Sequence, residues 1–182
     1  QWGETVAKYE EKFDPWYPDL QVKTGDWYTR KSGWPGFEDG SSIQTLFSHR
    51  NLVLLGIMNQ EINTIEDSAI RNQLKFVLLS SLIRSSSRMY ESSVVKTYYQ
   101  IPSKGKVQNP WIVFERKYKN YLKAKKQIDS SNSDIRVLNK NAQDLSDVDE
   151  NSADFTFIDP PYGSQIGYYV LNEFYTAWIN ED

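Results

Sequence analysis

The chain has 182 residues, 39% hydrophobic and 14% aromatic, enough for one domain with a core and for aromatic surfaces that stack or anchor. It has no cysteine and one histidine, which excludes a disulfide framework, a thiolate metal site and a His-rich one. Its net charge of −3 argues against nucleic acid only as an average, because the charge is unevenly distributed.

In chain order, Glu4 to Phe13 reads as a short helix of mixed charge. Residues 14–40 hold Pro15, Pro18, Pro35 and four glycines, so a long aromatic loop is expected there. Its Trp16, Trp27 and Trp34 would drape over a core, the alternative being the lining of a nucleic-acid channel. Ser48 is a candidate N-cap for a helix that starts at Arg50 and continues an apolar stripe to Ile62 and Ile65. A second helix is expected from Asp67 to Ser86, with Ile70, Leu74, Val77, Leu78 and Leu82 at helical spacing. Its serine clusters, at 80–81 and 85–87, either hold phosphate oxygens beside Arg84 and Arg88 or mark a fraying end.

Val94 to Ile101 reads as a strand closed by Pro102. Asn109-Pro110 places an N-cap before a proline at the first helical position, a strong start for a helix to about Gln127. That helix would put Trp111, Phe114, Tyr118, Tyr121 and Leu122 on one side and Lys117, Lys119, Lys123, Lys125 and Lys126 around the rest. The polar run Ser130 to Ser133 marks a boundary between a mainly helical region, 1–130, and a sheet part, 131–182. In the second region Ile135 to Leu138 and Asp154 to Ile158 read as short strands. Val170 to Ile179 reads as a helix burying Leu171, Phe174, Tyr175 and Trp178.

Residues 84–126 carry eleven Lys or Arg against two acids, whereas residues 144–182 carry nine acids and no Lys or Arg. The basic block fits a phosphate backbone, with Arg84, Arg88, Lys104, Lys106, Lys117 and Lys123 as candidate contacts; it fits a solvated helix face as well. His49 fits the start of a helix better than a catalyst. No apolar run approaches the ~18 residues that a membrane span needs, so a soluble protein without a membrane partner is expected.

The stretch Asp159-Pro160-Pro161-Tyr162-Gly163 carries the chemistry. Two prolines cannot continue a sheet ladder, so the expected strand stops at Asp159 and presents a carboxylate, carbonyls and an aromatic ring at its end. In open α/β sheets ligands bind at that end. A carboxylate and a rigid carbonyl can hold an amino group while a ring stacks on its carrier.

At these residues the chain resembles the amino-methyltransferases, whose motif is Asp, Asn or Ser followed by Pro-Pro-Tyr. Other pieces resemble the bacterial adenine-specific DNA methylases of restriction-modification systems. They are Trp16-Tyr17-Pro18, Leu46 to Leu52, Tyr98 to Pro102, Asn109 to Trp111, Glu150 to Asp154, and Ile166 to Tyr168 with Leu171-Asn172. The resemblance implies an α/β chain, a fragment of a Rossmann-like S-adenosylmethionine-dependent enzyme with a largely helical insert and short parallel strands. It implies methylation of the N6 amine of adenine in double-stranded DNA, with Asp159, Pro160, Pro161 and Tyr162 as catalytic residues, in the cytoplasm of a bacterium.

The family's Gly-x-Gly cofactor turn is not among the nine glycines. The chain therefore reads as an internal piece, partnered by a preceding cofactor-binding part of the same protein, and inactive alone. An N4-cytosine methyltransferase and a non-catalytic DNA-binding or assembly module are the alternatives.

Overall fold

The structure is a computed structural model, and it describes residues 2–21, 41–87, 106–131, 135–138, 140–141, 143–160 and 168–179. The strand expected over 94–101 lies outside them, as do Trp27, Trp34, Arg88, Lys104, Pro161 and Tyr162. Five helices are described: α1 (Trp2–Phe13), α2 (His49–Asn63), α3 (Ser68–Ser85), α4 (Pro110–Ser130) and α5 (Tyr168–Thr176). A short 3-10 turn, Ile43–Leu46, leads into α2.

The helix starts follow local chemistry. The Asp67 carboxylate accepts from the N–H groups of Ala69 and Ile70 at 2.8 and 3.1 Å, and the Asn109 side chain accepts from Trp111 N–H at 2.9 Å. Each supplies an acceptor to a donor that the first helical turn leaves without an intrahelical partner. Ser48 stands at the N-cap of α2 as expected, yet its side chain makes no capping bond.

The α/β expectation is overturned: the described residues contain no strand, only one antiparallel bridge between Gln21 and Ser42. Residues 135–138 and 155–160 belong to no sheet. Val137 is 86% exposed, Phe155 and Phe157 are 83% exposed and Ile158 is 75% exposed. Their β-branched and aromatic composition expresses a preference for a pleated, half-buried surface, and strand formation also needs a neighbouring strand to complete the ladder. Among the described residues no such neighbour is present. The intervening acidic stretch is instead held by turns, with Val148 N–H donating to Leu145 O and Ser152 N–H to Asp149 O. Lys140 ties this stretch together by reaching Asp144 at 3.1 Å and Asp147 at 2.6 Å.

The core joins the 3-10 turn, α2, α3 and α5. Ile43, Leu46, Leu55, Leu78, Leu82, Phe174 and Trp178 are its most deeply buried members. Phe47 stacks on Phe174 with ring centres 5.9 Å apart and meets Trp178 edge-on at 5.5 Å. The expected burial of Phe174 and Trp178 is thus observed. Gly56 lets the 15–17 segment lie directly on α2, since a Cβ there would stand 2.8 Å from Trp16 O and 2.9 Å from Pro15 Cβ.

One polar residue fixes how α2, α3 and α4 meet. Asn51 is fully buried, and its Nδ2 donates to Ser85 O and to Gln108 O, each at 2.8 Å. Ser85 ends α3, where carbonyls lack intrahelical donors, and Gln108 precedes α4. Asn51→Leu keeps the branching and the number of side-chain heavy atoms, adds some bulk and removes the donor from both carbonyls. Urea unfolding should show a loss of about 2–4 kcal/mol, the cost of leaving one buried and one partly buried acceptor without that partner.

Candidate nucleic-acid interface

Gln108 organises a group of cations at the junction of α3 and α4. Its N–H donates to Arg84 O at 3.2 Å, and its Oε1 accepts from Arg116 Nη2 at 3.0 Å. Lys117 follows Arg116 and is half-buried against α3. Its ammonium is pushed below the ordinary lysine value, first by burial and then by the charges of Arg84 and Arg116. These three cations therefore lie within electrostatic reach of one another, an arrangement that a polyanion relieves.

The candidate contacts named from sequence separate into groups. Arg84 and Lys117 come together, and Arg116, absent from that set, belongs with them. Lys106 is exposed on the segment leading into α4, and Lys123 is exposed farther along the helix. Arg116, Lys119, Lys123 and Lys126 recur at intervals of three and four residues, so they form an outward cationic stripe on α4. Lys119 pairs with Glu115 at 2.6 Å and Lys125 with Asp129 at 2.8 Å, both exposed pairs that contribute little to stability. Arg88 and Lys104 lie outside the described residues.

The aromatic side of α4 is rotated from the sequence expectation. Val113 is buried and Phe114 packs against the core, while Trp111, Tyr118 and Leu122 are exposed. The serines of α3 are internal. Ser80, Ser81, Ser85 and Ser86 donate to the carbonyls of Val77, Leu78, Ser81 and Ile83 at 2.6–3.0 Å, and Ser81, Ser85 and Ser86 are buried. Their hydroxyls satisfy their own helix rather than a phosphate.

Asp159 and Pro160 are exposed at the end of the stretch 155–160 that belongs to no sheet, rather than enclosed in the core. Pro161 and Tyr162 lie outside the described residues.

A separate polar cluster joins Tyr17 to α1 and to the start of α2. Tyr17 Oη donates to Glu10 Oε1 at 2.5 Å, and His49 Nε2 lies 2.9 Å from Glu10 Oε2. His49 thus sits in the first turn of α2, as its position suggests, with a carboxylate beside it. The Glu10 carboxyl is held below its ordinary value by the Tyr17 and His49 hydrogen bonds. The Tyr17 phenol is pushed well above its own, first by burial and then by Glu10. Beside this cluster a cavity of about 490 Å³ opens between residues 16–20 and α5, lined by Trp16, Tyr17, Asp19, Glu173 and Thr176.

Among the described residues no group of three or more His, Asp or Glu is placed to hold a metal ion, and no helix is long and apolar enough to cross a membrane. Comparison with protein-family models, with curated proteins and with solved structures gives no match.

Lys117→Met removes a half-buried charge that lies near two others. The expected outcome is a urea unfolding midpoint that is unchanged or higher. Tyr17 gives an alkaline signal. Its folded pKa is raised, so its contribution is complete below the ordinary tyrosine value near 10.0 and is lost as pH rises beyond it, where the unfolded chain ionises first. Tyr17→Phe should lower stability at neutral pH and flatten its decline toward about pH 11, measured by urea midpoints.

Proposed function

We propose that this chain is part of an adenine-specific DNA methyltransferase, carrying its DNA-engaging helices and its amine-holding motif. The observation that carries the reading is the exposed placement of Asp159 and Pro160 at the head of Asp-Pro-Pro-Tyr. The cation group of Arg84, Arg116 and Lys117 supports it by supplying a surface for phosphates.

Asp159 Oδ and the Pro160 carbonyl would accept hydrogen bonds from the exocyclic amine of an extruded adenine. Those bonds draw the nitrogen lone pair out of conjugation and aim it outward from the ring, which is catalysis by position and electrostatics. Tyr162 would stack on the base, and extrusion costs a few kcal/mol of unpairing. The basic residues of α3 and α4 would hold the flanking phosphates of a double strand.

S-adenosylmethionine supplies the methyl group in this reaction. The nine glycines of this chain provide no Gly-x-Gly turn for it, so the residues present do not fit that cofactor by themselves. The resemblance puts the turn ahead of residue 1, in a cofactor-binding part that would act with this chain. The reading places the whole protein in bacterial cytoplasm.

A non-catalytic DNA-binding module is the second reading, favoured by the cation group on α3 and α4, which needs no chemistry at Asp159 to be useful. The two separate on one variant. In the protein that carries both this chain and its cofactor turn, Asp159→Ala should lower adenine methylation about 100-fold or more. DNA affinity should stay within about twofold by anisotropy, a change of under 0.5 kcal/mol. Nucleoside mass spectrometry of the product distinguishes N6-adenine from N4-cytosine methylation. Unchanged methylation would remove Asp159 from the chemistry and leave the binding module.

A further inference from the structure

The rings along α4 carry an observation that the basic residues do not explain. Trp111 and Phe114 stack with centres 6.1 Å apart and planes 20° apart, and Phe114 and Tyr118 continue at 6.5 Å and 2°. Phe114, the middle ring, packs against the core, which fixes the orientation of the other two. Trp111 ends the series and is 56% exposed. Its backbone is fixed too, because its N–H is capped by Asn109, one residue beyond the Gln108 carbonyl that Asn51 holds. A large indole is thus presented to solvent in a set orientation, in the helix that also carries Arg116, Lys119 and Lys123.

From this we infer that Trp111 is a base-stacking residue, and that the α4 surface takes a DNA strand with unpaired bases in preference to an intact duplex. The inference rests on the reading of this chain as DNA-engaging and deepens it. Charge complementarity supplies the choice of partner, since the rings lie on a helix whose exposed residues include five cations against two acids. A duplex hides the faces of its bases inside the stack, so a ring on a helix flank can reach only its phosphates and groove edges. An unpaired strand offers a π-face at every nucleotide, and stacking on an aromatic side chain accepts any base. The cationic stripe then tracks the backbone while the indole holds a base. Such a strand arises wherever a target nucleotide is drawn out of its helix, and Trp111 would secure bases at that opening.

The test uses the 182-residue chain, a fluorescein-labelled oligothymidylate and a duplex of equal length. Anisotropy titrations would compare the wild-type chain with Trp111→Ala, Trp111→Leu and Trp111→Phe, and the unfolding midpoint of each variant would verify its fold. The Ala and Leu variants should lose about tenfold or more in affinity for the oligothymidylate, and Phe should restore most of it. Duplex affinity should change by less than about twofold, because phosphate contacts are untouched. Leu retaining wild-type affinity would reduce Trp111 to apolar area and overturn the stacking role. Equal losses on both ligands would overturn the preference for unpaired strands. Trp111→Ala without effect on either ligand would overturn this inference and leave the methyltransferase reading standing. A wild-type chain that binds neither ligand would sink the DNA-engaging premise itself. The methylation assay on Asp159→Ala is independent of every one of these outcomes.

Discussion

Two hydrogen bonds from one side chain set the geometry on which the cationic surface depends. Asn51 lies within a helix, where an amide is neither a favoured nor a strongly disfavoured residue. Its value is tertiary: it supplies donors to a carbonyl at the end of α3 and to another just ahead of α4. An apolar residue would fill the space and leave both acceptors without that donor, in a region where water has been excluded. The positions of Arg84 and Arg116 then follow from backbone one residue away and from Gln108, which lies under the same clamp. Stability and charge placement are coupled at this point.

Burial, and after it the charges of Arg84 and Arg116, hold the Lys117 ammonium below its ordinary value. Such an arrangement persists where the surrounding structure over-determines it, as the Asn51 and Gln108 hydrogen bonds do here. The neighbouring serines show the opposite logic. Each returns its hydroxyl to a carbonyl three or four residues back, so a stretch that looks polar in sequence is closed on itself in the fold.

What was legible in the sequence was local. The Asn109-Pro110 start is observed, as is the burial of Val77, Leu78 and Leu82 in α3 and of Phe174 and Trp178, all of which depend on neighbours within a few residues. Ile70 of the expected α3 stripe is exposed instead. The lack of a sheet among the described residues was not legible, because the residues of 154–158 state a preference for a pleated surface and say nothing about whether a second strand is there to pair. The face of α4 was misplaced because five aromatic or apolar residues were assigned to one side, whereas packing against α3 selects Val113, Phe114 and Tyr121. Lys117 lies toward that inner side, which no hydropathy pattern would place there. Asn51 and Gly56 were silent for a similar reason: one matters through two distant carbonyls, the other through a loop 40 residues earlier at Trp16. Arg116 offered a weak signal, its adjacency to Lys117. Of the Asp-Pro-Pro-Tyr stretch, Asp159 and Pro160 are exposed, and Pro161 and Tyr162 lie outside the described residues.

The outward-facing phenylalanines at 155 and 157 have a practical consequence. Proteases favour unpaired, accessible chain, and one that cleaves after aromatic residues meets two such bonds in succession here. Phe174 and Trp178 are packed into the core on the far side of those bonds. A nicked molecule would therefore hold together, migrating as a single particle in native gels and separating into two bands only once denatured.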